Sequence, residues 1–274
     1  MNPRFALSLG ASFLGYATHA GFLCQLRDRG YAPTHVAGSS AGALAAALFA
    51  AGLDTATIMQ AVTSHALRWS FVKRTFWGYH FTRSMVWCRE PSCFNPRGAV
   101  DFVKSLVGDV RIQDLKTVHL TIGLSDLQSK RGLLVTEGPL AEAAVASCCV
   151  PTMMAPTLFE GQLCYDGGVS HETPVDQWFQ AADVDRIVVH RILHTAGKPA
   201  RSFPGNFLSL TRTAHDVICD QLLAYRQQLA ELHGKQFHLV NTSHPVPSVF
   251  SRSSQMEALF ALGQQQADAF IGSL

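Results

Sequence analysis

The sequence predicts an α/β layered fold. Short apolar runs rich in Val, Ile, Leu and Phe alternate with longer segments of helical apolar spacing, and no fixed-period repeat or low-complexity block interrupts them. With 47% apolar and 15% charged residues over 274 positions, the composition is that of a globular chain able to bury a core, expected as one domain over residues 1–274. The expected strands are 5–9, 35–38, 119–124, 133–136, 162–165, 186–190 and 237–240. The expected helices are 16–29, 41–51, 54–64, 96–106, 139–148, 208–232 and 256–271, set by apolar spacing and by Gly or Pro at their ends. Residues 194–206 and 241–254, with their Gly, Pro and small polar residues, read as loops. Asp54 is expected to cap a helix and Asp126 to be structural.

Charge and cysteine content narrow the function. Twenty-two basic and twenty acidic residues give a net +2, so nothing global calls for a nucleic-acid partner. The apolar run after Met1-Asn2-Pro3-Arg4 is soon broken by Gly10 and Ser12, too short for a signal peptide, and there is no apolar run long enough to span a bilayer. A cytoplasmic protein is therefore expected, with room for peripheral membrane contact. Seven cysteines (Cys24, Cys88, Cys93, Cys148, Cys149, Cys164 and Cys219) form neither CxxC pairs nor a zinc-spaced array, and read as mostly buried free thiols. No metal or organic cofactor is expected. Cys148-Cys149 reads as small buried residues rather than as a reactive thiol.

Chemistry concentrates in three places. Gly38-Ser39-Ser40-Ala41-Gly42 is a G-x-S-x-G placed where a short strand runs into an alanine-rich helix, the setting of a nucleophile elbow with Ser40 as nucleophile. Gly38 and Gly42 would permit close packing, and the helix N-terminus behind Ser40 would favour developing negative charge. After the first strand, Gly10-Ala11-Ser12-Phe13-Leu14-Gly15 leads into a helix, so its amides could face an oxyanion. Downstream, Cys164-Tyr165-Asp166-Gly167-Gly168 puts a carboxylate at a strand end, with two glycines that allow close backbone approach.

In this order, the glycine-rich loop, G-x-S-x-G and D-G-G resemble the patatin-like phospholipases. His19-Ala20-Gly21-Phe22-Leu23 is similar to that family's first helix. The stretch from Ala146-Ser147 through Pro151, Phe159 and Tyr165 to Pro174-Val175 is similar to its approach to the aspartate, so the likeness covers roughly residues 5–190. The resemblance implies a three-layer α/β/α fold around a mostly parallel sheet. It also implies hydrolysis of lipid esters by a Ser–Asp dyad, with Ser40 as nucleophile, Asp166 as proton acceptor, and Gly15 and neighbouring amides as oxyanion donors. An aspartate near pKa 3.9 is a feeble base, so burial should raise it. The loop departs from the family in carrying Ala11 and Ser12 where many relatives have glycine. A positive φ at Ser12 would strain it, and a broken loop would favour a catalytically silent or partner-activated lipid binder.

Between Ser64 and Arg89 stand five basic residues, no acidic one and seven aromatics. Two readings compete for residues 64–94: a membrane-facing segment, with Trp69, Phe71, Phe76 and Trp77 at headgroup depth and Arg68, Lys73 and Arg74 drawn to anionic lipid, or a cap over the core. The rival enzyme reading is a Ser-His-Asp α/β-hydrolase with His238 or His244 as third member, against which stand the early position of Ser40 and the lack of an HGGG-type loop. Lipid class, acyl length, positional preference and oligomeric state are not fixed by the sequence.

Overall fold

The computed structural model describes residues 5–72, 92–195 and 207–274, with the side chains of 93 and 207–213 excepted. A mixed sheet runs through the centre. Its parallel part comprises β1 (Phe5–Leu9), β2 (His35–Gly38), β4 (His119–Asp126), β9 (Arg186–Thr195) and β10 (Gln236–Pro245), in the order β10-β9-β1-β2-β4. Three antiparallel strands extend it: β5 (Arg131–Val135) and β8 (Gln162–Asp166) pair with β4, and β7 (Thr157–Phe159) pairs with β8. β3 (Ser92–Phe94) and β6 (Thr152–Met154) form a separate parallel pair.

Period-two alternation sorts the side chains onto two faces. Phe5, Leu7, Leu9, Val36 and Val188 join one apolar cluster with α1 (Tyr16–Asp28), α2 (Ala41–Ala50), α3 (Thr55–Thr63), α5 (Arg97–Val107), α6 (Leu140–Ala146) and α8 (Ser253–Gly272). Ala6, Ala37, Ile187 and Val189 join the second with Val175, Trp178, Phe179 and the buried side of α7 (Phe207–Leu232). Strands covered on both faces read as unbroken apolar runs. α1 is buried on nearly every side because α8 lies directly on it. A Cβ on Gly21 would strike the Phe260 carbonyl, and one on Gly263 would strike that of Thr18.

Register positions the site. β2 pairs with the start of β4 (Gly38 opposite Ile122), while β5 takes the other edge (Val135 also opposite Ile122). β8 therefore occupies the edge that β2 vacates where it turns into Ser39 and Ser40, with Asp166 opposite Leu124. The last residue of β8 thus stands directly beyond the last residue of β2.

The predicted strands and helices all form, with ends shifted by a few residues, and Asp54 caps α3 by accepting the Thr57 amide. The loop expected at 241–254 is corrected. β10 continues to Pro245, because each residue from Gln236 onward finds a partner on β9, and α8 starts at Ser253. The other expected loop starts later too, since β9 continues to Thr195; residues 196–206 lie outside the described residues. The short β3, β6, β7 and α4 (His65–Ser70) lacked a periodic signal.

Candidate active site

Ser40 is the N-cap of α2, with φ 53° and ψ −124°, a left-handed conformation that costs a non-glycine residue on the order of 1–3 kcal/mol. Close packing around the elbow holds it there. A Cβ on Gly42 would meet the Leu9 carbonyl, and one on Gly38 would lie 2.5 Å from the Gly42 carbonyl. The two glycines of G-x-S-x-G are thus places where backbone touches backbone. Ser147, after α6, completes the cradle: its Oγ accepts the Ser40 N–H at 2.8 Å and donates to the Gly123 carbonyl at 2.7 Å. Cys148 Sγ donates to the Ser40 carbonyl at 3.2 Å. Ser39 is turned away and donates to the His171 carbonyl.

The Ser40 hydroxyl donates to Asp166 Oδ2 at 2.8 Å. The other carboxylate oxygen accepts the Gly168 N–H at 2.7 Å, and Ser125 Oγ donates to the Asp166 carbonyl at 2.8 Å. Gly167 lies so close to Gly123 that a side chain would strike its carbonyl. Asp166 is 5% exposed, and burial raises its pKa from 3.8 to about 7, against the opposing pull of the Ser40 hydroxyl and the Gly168 amide. A hydroxyl held on a carboxylate that titrates near neutrality is arranged for proton transfer.

The loop at 10–15 divides in two. Gly10 donates to the His190 carbonyl at 3.0 Å and Ala11 to the Glu172 carbonyl at 2.8 Å, so these two amides are spent on anchoring it. The amides of Ser12, Phe13, Leu14 and Gly15 have no acceptor among the described residues. The positive φ falls on Leu14 (54°) and not on Ser12, so the serine departure puts no positive-φ strain on the loop. A Cβ on Gly15 would collide with Ser12 Oγ and lie 2.6 Å from Ile192 Cδ1, so a side chain there would have to displace both.

Of the residues expected at a lipid interface, Phe71 is 9% exposed and belongs to the core cluster. Trp69 is 40% exposed and meets Phe250 edge-on at 5.6 Å. Arg68 is fully buried: Nη1 donates to the Thr63 carbonyl at the end of α3, and Nη2 to that of Ser251. Its charge faces a helix C-terminus rather than lipid. Lys73, Arg74, Phe76 and Trp77 lie outside the described residues. His238 and His244 sit on β10, three strands from β2 or about 14 Å at ordinary inter-strand spacing. His244 is held by Thr18 and by the Pro245 carbonyl. Burial pushes the Cys148 and Cys149 thiols up, away from the reactive thiolate. Among the described residues, no group of three or more His, Cys, Asp and Glu side chains could hold a metal ion, and no helix is long and apolar enough to cross a membrane.

A family profile described as Patatin-like phospholipase matches residues 7–178. The chain belongs to the patatin-like phospholipase family. Uncharacterized NTE family proteins of Mycobacterium bovis and Mycobacterium tuberculosis are each 31% identical to it over 182 residues, 64% of this chain and 45% of theirs. This patatin-like chain therefore spans less than half the length of the curated relatives it matches. Among solved structures, VipD from Legionella pneumophila shares the fold at TM-score 0.52 and 12% identity, over 97% of this chain and 67% of that one.

Proposed function

We propose that this patatin-like chain is a lipid acyl hydrolase that cleaves fatty-acyl esters through an acyl-serine intermediate on Ser40. The observation that supports this most is the 2.8 Å hydrogen bond from a backbone-strained serine to a buried aspartate whose pKa is raised to about 7. Ser40 Oγ attacks the ester carbonyl carbon while Asp166 Oδ2 takes the hydroxyl proton. The carbonyl oxygen becomes an oxyanion, received by the unengaged amides of Ser12–Gly15 at the start of α1. Collapse expels the alcohol, which takes the proton back from Asp166 and leaves an ester on Ser40. Water then attacks that ester, giving its proton to Asp166, and the second collapse frees the fatty acid and restores the Ser40 hydroxyl.

Burial gives this dyad its base. With an ordinary carboxyl, proton transfer from an alcohol would be steeply uphill, and raising the carboxyl to about 7 recovers part of that deficit. No histidine is needed, and His244 is engaged elsewhere.

The test is hydrolysis of p-nitrophenyl butyrate through palmitate, and of phospholipid vesicles, by wild type, Ser40→Ala and Asp166→Asn. The reading expects turnover by wild type, loss in both variants with each still folded, and fluorophosphonate labelling at Ser40 alone. Full activity in Ser40→Ala would refute it.

A further inference from the structure

The loop that would receive the oxyanion and the loop that carries Asp166 are separate segments, and something must hold them in register. Backbone does part of this: the Gly10 amide reaches His190 on β9, and the Ala11 amide reaches Glu172, six residues past Asp166. The side chains next to those two anchors are joined to each other. Arg191 donates through Nε to Glu172 Oε1 at 3.1 Å and through Nη1 to Asp220 on α7 at 2.8 Å. The Arg191 and Glu172 side chains are only 11% and 12% exposed. Glu172 Oε1 lies over Gly10, 3.1 Å from where a Cβ would stand, so the ion pair bears on the loop's first residue. Burial pushes the Glu172 carboxyl up, while the Arg191 guanidinium pulls it back toward the ionised form.

Resting on the hydrolase reading, we propose that Arg191 and Glu172 are positioning residues, whose ion pair fixes the Ser12–Gly15 amides relative to Asp166 so that donors and base act on one carbonyl. Neither residue touches Ser40 or Asp166. Their effect passes through the Gly10–Ala11 anchors, and it belongs to the transition state rather than to substrate binding.

The experiment compares wild type, Arg191→Met, Arg191→Lys and the double variant Arg191→Met with Glu172→Gln. It measures kcat and KM on p-nitrophenyl butyrate, inhibition by an alkyl trifluoromethyl ketone that forms a tetrahedral adduct on serine, and thermal unfolding. Displacing one oxyanion donor costs about 100-fold in kcat. Arg191→Met is therefore expected to lose kcat on that order with KM nearly unchanged and ketone affinity falling in parallel, and Arg191→Lys to keep part of both. In the double variant no buried charge is left unpaired, so Tm should recover while kcat and ketone affinity stay low. If kcat returns together with Tm, the pair is merely structural and the proposal fails; it fails equally if the single variant keeps wild-type kcat. An inert wild type would instead overturn the hydrolase reading, and this inference with it.

Discussion

Hydrolysis should depend on one ionisation near neutrality, that of Asp166. At a pKa of about 7, the base is about 9% ionised at pH 6 and about 90% at pH 8, so kcat/KM should rise about tenfold across that interval. An ordinary carboxyl would leave the profile flat there. The assay is p-nitrophenyl butyrate hydrolysis, read where phenol and phenolate absorb equally, with kcat/KM reporting the free enzyme. The same shift is a stability statement whose sign runs against that of a salt-bridged carboxylate. The folded pKa is raised, so the protonated form is favoured in the native state, and stability is lost as pH climbs from about 4 to about 7. From 3.8 to about 7 is roughly three units, or about 4 kcal/mol of ionisation cost at pH 8. Asp166→Asn should therefore gain stability relative to wild type on going from pH 5 to pH 8, as read by urea unfolding at both values. A flat kcat/KM profile from pH 5 to 8, together with a variant whose relative stability ignores pH, would refute the claim that burial tunes this base.

Ser147→Ala leaves the buried Ser40 N–H without its acceptor, worth about 1–3 kcal/mol, and frees the elbow; kcat and the rate of fluorophosphonate labelling should both drop roughly tenfold with the fold intact by circular dichroism. His238→Gln and His244→Gln should each keep kcat within about twofold, since both residues sit three strands from β2; complete loss in either would revive a histidine triad. Gly263→Ala drives a methyl into the Thr18 carbonyl and must pry α8 from α1, costing about 1–3 kcal/mol and several degrees of Tm in a melting experiment, with kcat unchanged at low temperature.

The fold was legible where burial imposes a pattern. β1 and β9 are covered on both faces, so Phe5–Leu9 and Arg186–His190 carry apolar runs that few alternatives explain. α2 is apolar on every side and could only be a helix at the centre of the molecule. Legibility failed where structure depends on a distant partner. Residues 241–245 continue β10 because β9 offers a ladder to Thr195, and nothing in His244-Pro245 announces it. Arg68 misled for a related reason. A cation among aromatics suggested a lipid surface, yet its carbonyl acceptors lie at the end of α3 and at Ser251, 183 residues away.

The same division runs through the candidate site. Ser40, Asp166 and their glycines stood out because each meets a local requirement: a positive φ, a backbone contact, a strand end. Ser147, Glu172 and Arg191 meet requirements set by other segments, so the sequence offered no local reason to choose them from their neighbours. The loop at 10–15 shows both kinds of information at once. Its glycines mark it as a place where backbone comes close, but which amides are spent and which remain open depends on the carbonyls of residues 172 and 190. Part of the loop's glycine-rich character therefore belongs to anchoring. Gly10 lies under Glu172, where a Cβ would stand 3.1 Å from Oε1, so a larger residue there should press on the ion pair and the loop together, whereas enlarging Ser12, whose Oγ already lies against Gly15, should press on Gly15 and the open amides.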